Sequence, residues 1–155
     1  MTTETLKFSK PTVWIMQGVS GAGKSSSIPA NAKVVSADHY FVDKDGNYKF
    51  DPSQLGHAHA ECLRLYVEAL LQSISFVVVD NTNTTVAEVA PYYALANAYG
   101  YDAVIVHIDT APLVAAERNT HGVPVAGVEA QHKRISEFSE QMPAWWQRVS
   151  KGEVQ

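Results

Sequence analysis

Gly18-Val19-Ser20-Gly21-Ala22-Gly23-Lys24-Ser25 is the stretch that decides the fold of this 155-residue chain. It matches the pattern G-x-x-x-x-G-K-[ST] at every fixed position, and the apolar run at residues 12–16 before it predicts a buried strand. A short helix is expected after the loop and should end or bend at Pro29, because proline lacks the helical N–H donor. This order of strand, loop and helix predicts a phosphate-binding loop rather than an ordinary turn rich in glycine and serine.

The residue types of the loop suit a nucleoside triphosphate and its metal ion. Backbone N–H groups surround phosphate oxygens, and glycines allow the close approach that a Cβ would block. Lys24 is expected to reach the β- and γ-phosphates, and the Ser25 hydroxyl to bind Mg²⁺. ATP and Mg²⁺ are therefore the predicted cofactors. The loop residues predicted to bind the nucleotide are Gly18, Ser20, Gly21, Ala22, Gly23, Lys24, Ser25 and Ser26.

The composition limits the class of protein. With 46% apolar residues the chain can form a core, and we expect one domain over residues 1–155. A net charge of −4 provides no overall basic field for a long polyanion. The single cysteine, Cys62, excludes an internal disulfide and is expected in the core of a protein from a reducing compartment. The polar, acidic start and the lack of a long apolar run predict a cytoplasmic protein without membrane contact.

The order of apolar and amphipathic segments predicts an α/β fold of the P-loop NTPase type, with three layers. Strands are expected at residues 12–17, 33–37, 74–80 and 102–108. Helices are expected at 53–72 with Ser53 as its cap, at 85–99, after Pro112, and at 128–141. Pro91 should kink or delay the second of these helices. They should cover both faces of a parallel sheet of four or five strands and leave a helical lid after the fourth strand.

Two aspartates follow predicted strands at the edge where parallel sheets bind ligands. Asp38 follows the strand at 33–37, and Asp80 ends the strand at 74–80. Four apolar residues and then aspartate is a pattern in which the carboxylate reaches Mg²⁺, although many strands simply end in aspartate. We predict Ser25 and Asp80 as the metal ligands. Residues 81–83 would either bond the substrate or shape the turn.

The polar segment 118–124 lies between two predicted helices, where a mobile lid is expected. Arg118 is the arginine best suited to stabilise transition-state charge, through forked hydrogen bonds to phosphate oxygens. The alternative is a surface arginine favoured by the dipole at a helix end. His121 is predicted to join Arg118 at the nucleotide, and a surface position for His121 fits the sequence equally well.

Three smaller features carry structural expectations. Residues 39–51 contain an Asp-Gly pair between alternating apolar residues, which predicts a β-ribbon or an ordered loop near the ligand-binding edge. His59 lies on the apolar stripe of the first long helix and is expected to be buried and hydrogen-bonded. Trp145 and Trp146 are expected to anchor a terminal helix on the body of the protein.

Six segments, taken in order, give the chain a resemblance to a known family. They are residues 18–25, 36–41, 48–51, 58–59 with Cys62, 79–83 and 118–124. Together they resemble the P-loop kinase family that includes bacteriophage-type polynucleotide 5′-hydroxyl kinases and AAA-type, zeta-toxin-like ATP-binding proteins. The resemblance covers about residues 11–139. Its first motif is specific for nucleotide binding, and the later motifs jointly favour this branch.

The resemblance implies an ATP-dependent kinase whose catalytic residues are Asp38, Lys24 and Arg118. By resemblance, Asp38 is the general base that takes the proton from the acceptor hydroxyl, and Arg118 closes over the phosphates. Where the phage enzymes carry an arginine that grips the acceptor's 3′-phosphate, this chain has Phe41, and where their lid is more basic it has His121. Phe41 or Tyr40 would instead stack on a base of the acceptor.

Three hypotheses about function remain open at the level of sequence. The favoured one is transfer of the ATP γ-phosphoryl group to a polynucleotide or nucleotide 5′-hydroxyl. The second keeps the transfer but assigns a small metabolite or nucleotide sugar as acceptor, which the acidic composition and the low arginine content favour. The third is an ATP-binding module with little turnover that signals through its lid.

Overall fold

The computed structural model describes residues 5–119 and 121–152, so Thr120 of the predicted lid and the chain's first four residues lie outside the described part. Five strands form one parallel sheet in the order β2-β3-β1-β4-β5. The strands are β1 (Thr12–Gln17), β2 (Lys33–Val35), β3 (Phe76–Asp80), β4 (Asp102–Asp109) and β5 (Arg148–Gly152).

Five helices cover the two faces of this sheet, which confirms the predicted three-layer α/β fold. They are α1 (Leu55–Leu71), α2 (Val86–Ala98), α3 (Pro112–Arg118), α4 (Val125–Ser136) and the single turn α5 (Phe138–Gln141). Helices α1, α2 and α5 pack against one face of β1, and α3 and α4 pack against the other. Since successive residues of a strand point to opposite faces, Val13 and Ile15 belong to the first core, and Trp14 and Met16 to the second.

The central position of β1 explains why its side chains are buried along the whole strand. It pairs with β3 on one side and β4 on the other, and Met16 lies beside Asp80 in the register. The phosphate loop that follows β1 therefore leaves the sheet at the same edge as the end of β3. The predicted meeting of these segments at the carboxyl edge is confirmed.

The segment after the phosphate loop is shorter than predicted. In place of a helix there is a single 3₁₀ turn, Ser25–Ser27, and Ile28 after it is extended. β2 ends at Val35, two residues early, because the chain turns into a second 3₁₀ segment, Ala37–Phe41. Ser36 caps that segment by accepting a hydrogen bond from the Asp38 N–H at 3.2 Å. Asp38 is thus held rigidly at the sheet edge.

Two predictions about the first long helix were wrong. Ser53 does not cap it, because the N-cap residue of α1 is Gln54, which makes no side-chain capping bond. Ser53 lies instead in the 3₁₀ turn Pro52–Gln54 before the helix, where the Asp51 carboxylate accepts hydrogen bonds from the N–H and hydroxyl of Ser53. His59 is exposed, because α1 buries a narrow stripe that contains Ala58, Cys62 and Tyr66. The predicted core position of Cys62 is confirmed.

Helix α2 begins at the predicted cap and is not delayed by Pro91, which lies inside it. The Thr85 hydroxyl accepts from the Glu88 N–H at 3.2 Å, and the Glu88 carboxylate turns back to the N–H and hydroxyl of Thr84. The helix ends at Ala98, one residue before the predicted end, and Gly100 follows with φ +82°.

The carboxyl-terminal region differs most from the prediction. The helix expected at 128–141 begins earlier, at Val125, and is broken into α4 and α5. The segment after Trp146 forms β5 rather than a terminal helix. Trp146 does anchor it, since its indole stacks on Tyr93 with 4.7 Å between ring centroids, whereas Trp145 is 76% exposed.

A buried polar contact joins β5 to the strand that carries the phosphate loop. The Gln17 side chain, fully buried, donates from Nε2 to the Asn83 carbonyl at 2.9 Å and accepts at Oε1 from Nε of Arg148 at 2.8 Å. Residues far apart in the sequence thus belong to one hydrogen-bond network. Among the described residues, no helix is both long enough and apolar enough to cross a membrane.

Candidate active site

Contacts with α3 and with residues Thr82 and Thr110 hold the phosphate loop in its conformation. Gly21 has φ +84°, and a Cβ at this position would lie 2.0 Å from the Ala115 carbonyl oxygen of α3. The buried Thr110 hydroxyl donates to the Ala22 carbonyl at 2.8 Å, and the Gly18 N–H donates to the Thr82 carbonyl at 3.1 Å. The loop therefore needs glycine at position 21 for packing as well as for its backbone angle.

Lys24 bends back over the loop. Its Nζ donates to the carbonyl oxygens of Gly18 and Val19, both at 3.0 Å. Burial lowers the pKa of Lys24, while the negative charges of Asp80 and Asp38 act in the opposite direction. The ammonium group is thus partly buried and under the influence of two carboxylates, an environment in which phosphate oxygens would be strong ligands.

Ser25 and Asp80 approach each other across the cavity. The Ser25 hydroxyl donates to Oδ2 of Asp80 at 3.0 Å. No group of three or more His, Cys, Asp or Glu side chains among the described residues is arranged to hold a metal ion. Mg²⁺ binds oxygen ligands and is commonly held by one or two protein oxygens together with phosphate oxygens. The hydroxyl and carboxylate therefore fit a nucleotide-bound Mg²⁺ rather than a metal held by protein alone.

Asp38 is held by two aromatic side chains, one on each carboxylate oxygen. The Tyr48 hydroxyl donates to Oδ1 at 3.2 Å, and Nδ1 of His121 lies 3.3 Å from Oδ2. The His121 and Tyr48 rings stack on each other, with 4.3 Å between centroids and 16° between planes. Burial, followed by the charge of Asp38, raises the pKa of Tyr48 to about 12, so the phenol remains a neutral donor at ordinary pH.

The asparagines after Asp80 make hydrogen bonds that shape the turn. Oδ1 of Asn81 accepts from the Ala37 N–H at 2.9 Å, which ties the end of β3 to the Asp38 segment. Asn83 is buried with φ +50°, and its Nδ2 donates to the Met16 carbonyl at 2.7 Å. Asn81 and Asn83 thus shape the turn, whereas Asn81 and Thr82 also line the cavity, so a substrate contact by these two residues stays a prediction.

The segment between α3 and α4 is closed by one side chain. Asn119 donates from Nδ2 to the carbonyls of Ala116 and Val123, and its Oδ1 accepts from the Val123 N–H at 3.0 Å. Gly122 has φ +74° and allows the chain to turn back. Arg118 at the end of α3 and His121 in this segment both line the cavity that the phosphate loop also lines.

One cavity of about 400 Å³ brings together almost all of the predicted site residues. Gly18, which was predicted to bind the nucleotide, does not line it, and its N–H donates to the Thr82 carbonyl. Three further residues line it, namely Asn81 and Thr82, for which a substrate contact was one of two alternatives, and Asn119, which was not predicted as a site residue. The predicted residues that line the cavity are Ser20, Gly21, Ala22, Gly23, Lys24, Ser25, Ser26, Asp38, Asp80, Arg118 and His121.

The two aromatic residues predicted to stack on a base differ in exposure. Phe41 is 5% exposed and packs in the first core, so the predicted stacking of Phe41 on a base is wrong. Tyr40 is 43% exposed, and its hydroxyl donates to Oε1 of Gln54 at 3.2 Å. Tyr48 was missed as a site residue. The aromatic residues of 39–51 were visible in the sequence, but the turn that directs Tyr48 towards Asp38 was not.

Comparison with known proteins agrees with this geometry. The model of the family described as AAA domain matches residues 13–147. NEDD4-binding protein 2 from Homo sapiens is 32% identical over 120 residues, which cover 70% of this chain and 7% of that protein. The chain thus spans a small part of the length of this curated relative.

Two of the solved structures that resemble this chain illustrate the similarity of fold. A chain of the Pnkp1/Rnl/Hen1 RNA repair complex has a TM-score of 0.69 and 18% identity, with coverage of 88% of this chain and 48% of that chain. A gluconokinase from Sinorhizobium meliloti 1021 has a TM-score of 0.58 and 17% identity, with coverage of 94% and 84%. At these identities the likeness shows the fold, which is that of a P-loop kinase.

Proposed function

The chain belongs to the AAA domain family, and we propose that it is an ATP-dependent kinase that transfers the γ-phosphoryl group to a hydroxyl, with a polynucleotide or nucleotide 5′-hydroxyl as the favoured acceptor. The observation that carries this proposal is that the phosphate loop and the Asp38 carboxylate line the same cavity. We further propose that residues 1–155 belong to one kinase domain. We place its activity in the cytoplasm, because the buried Cys62 is unpaired and a reducing compartment keeps thiols reduced.

The arrangement supports an in-line transfer. Lys24 and the loop N–H groups would bind the phosphates of ATP, and Arg118 would stabilise the charge that develops on the transferred group. The acceptor oxygen attacks the γ-phosphorus, its proton passes to Oδ2 of Asp38, and the bond from the γ-phosphorus to the bridging oxygen breaks to leave ADP. Ser25 and Asp80 would hold Mg²⁺, which supplies charge neutralisation at the phosphates when bound.

Two kinds of acceptor are consistent with the solved structures that this chain resembles. The likeness to a chain of an RNA repair complex favours a nucleic-acid end, and the likeness to a gluconokinase favours a small alcohol. Among the described residues, Arg118 is the one arginine that lines the cavity. Contacts that track phosphates would make transfer to an oligonucleotide fall steeply with salt, whereas transfer to a neutral small alcohol would change little.

The test is a transfer assay with γ-labelled ATP, a 5′-hydroxyl oligonucleotide and a panel of free alcohols that includes a nucleoside, a sugar and a sugar acid. We expect label on the oligonucleotide, with a rate that falls as salt rises. Label on a free alcohol alone would contradict the favoured acceptor and support the small-metabolite alternative. ATP binding without transfer to any acceptor would contradict the kinase proposal and support a nucleotide-binding module.

The proposed role of Asp38 as general base is tested by a substitution at this residue. Asp38→Asn should lower kcat by about 10²- to 10⁴-fold and leave the Kd for ATP nearly unchanged, since a general base acts on the acceptor. Asp45→Asn in the exposed turn is the matched control and should keep full activity. An Asp38→Asn enzyme with normal kcat would contradict the assignment.

A further inference from the structure

Tyr48 and His121 form a feature that the proposed transfer does not require. The His121 ring covers one face of Tyr48 and also reaches the oxygen of Asp38 that would accept the acceptor's proton. A single aromatic ring thus makes both contacts that an acceptor would need, one to a flat surface and one to the base. The other carboxylate oxygen of Asp38, Oδ1, accepts a hydrogen bond from the Tyr48 hydroxyl.

We propose that the Tyr48 ring face under His121 is the specificity-determining surface for the acceptor, which is an alcohol with a planar ring, such as a terminal nucleoside, that displaces the imidazole. This inference rests on the proposed kinase function and names the acceptor class for that site. His121 then occupies the acceptor's position until the ring of the acceptor replaces it.

The position of Tyr48 supports a surface formed before the acceptor binds. Val42 and Tyr48 form an antiparallel bridge, and the Lys49 N–H donates to the Phe41 carbonyl at 2.8 Å. The buried Phe41 ring packs edge-on against Tyr48, with 6.2 Å between centroids. Backbone and side chain of Tyr48 are therefore fixed by the body of the protein, so a ligand that stacks there has little side-chain entropy to remove.

His121 is held less firmly than Tyr48. It belongs to the segment between α3 and α4, its side chain is 38% exposed, and it is followed by Gly122. Phe50, 48% exposed, lies parallel to Tyr48, with 6.4 Å between ring centroids and 9° between planes. Stacking on an aromatic side chain is sequence-tolerant, because every base has a π-face. The surface would thus select for a ring and not for a particular base.

Two kinds of measurement test the proposal, and the first needs no turnover. The imidazole resonances of His121, assigned by comparison with His121→Ala, should shift when adenosine is added, because the ring leaves the face of Tyr48. Ribose at the same concentration should leave them in place. Displacement by adenosine together with a failure of phosphoryl transfer would contradict the kinase function while supporting the ring-binding surface. No displacement by adenosine would overturn the inference.

The second measurement compares oligonucleotides that differ only in whether the 5′-terminal residue carries a base or is abasic. The wild type should prefer the base-bearing end by about 5- to 100-fold in kcat/KM. Tyr48→Leu should bring this ratio close to one, whereas Tyr48→Phe should keep it and lower kcat for both acceptors, since the ring remains and the hydroxyl bond to Asp38 is lost. His121→Ala should raise the ratio.

Tyr99→Leu, at an exposed tyrosine on the end of α2, is the matched control and should change neither rate nor ratio. Urea titration of Tyr48→Leu establishes that the variant is folded. An equal loss of kcat/KM for both acceptors in folded Tyr48→Leu, with the ratio unchanged, would show that Tyr48 acts on Asp38 alone and would overturn the inference.

Discussion

Gly21→Ala should disrupt the phosphate loop through its contact with α3. Gly21 has φ +84°, and the added Cβ would lie 2.0 Å from the Ala115 carbonyl oxygen and 2.8 Å from the Asn119 nitrogen. Left-handed backbone costs a residue with a Cβ about 1–2 kcal/mol, and overpacking adds about 1–3 kcal/mol. The free energy of unfolding should therefore fall by about 2–5 kcal/mol, and the Kd for ATP should rise because the loop must move.

The chain offers a matched control that separates the two contributions. Gly46 has the same φ of +84°, and nothing lies within 4 Å of a Cβ built there. Gly46→Ala should therefore lower the free energy of unfolding by only about 1–2 kcal/mol, which is the cost of the backbone strain. ATP binding should be unchanged. Urea unfolding, followed by tryptophan fluorescence, gives both values. If the two variants unfold at the same urea concentration, packing against α3 does not constrain the loop and the reasoning is refuted.

Two further predictions concern regions away from the loop. Burial and then the positive charge of Arg148 lower the pKa of His107 from its ordinary 6.5 to about 4. The folded state thus binds fewer protons than the unfolded state between these values, so stability is complete above pH 6.5 and falls by about 1–2 kcal/mol towards pH 4, after allowance for partial exposure. His107→Gln should remove this pH dependence in urea titrations. Trp146→Ala should lower the free energy of unfolding by about 2–4 kcal/mol, because its indole stacks on Tyr93, whereas Trp145→Ala should change it by less than about 0.5 kcal/mol. Equal effects of the two tryptophan variants would contradict the anchoring role of Trp146.

The central part of the fold was predictable because its signals are local and strong. β1 is apolar on both faces and is followed at once by the glycine-rich loop, and β3 is a run of β-branched residues. Parallel strands buried on both sides place their carboxyl ends at one edge, so the shared location of the loop, Asp38 and Asp80 followed from topology.

β5 could not be predicted from its own residues. It pairs with β4 on one side only, and Val149, its one large apolar residue, is 46% exposed. A half-exposed edge strand needs little apolar periodicity, so its pairing is decided by distant partners. Similarly, the spacing of α1 predicted a wider buried stripe than the sheet covers, which is why His59 was misplaced. The contact between Tyr48 and Asp38 depends on a turn whose direction no sequence pattern specifies.

The bond between Gln17 and Arg148 has a consequence for how the protein is made. The two residues are 131 positions apart, and the entropy cost of closing a loop rises with its length. During synthesis Gln17 leaves the ribosome long before Arg148 is added, so the hydrogen bond from Arg148 to the Gln17 amide oxygen cannot form until then. The strand that leads into the phosphate loop is therefore synthesised well before the residue that completes its buried hydrogen bonds.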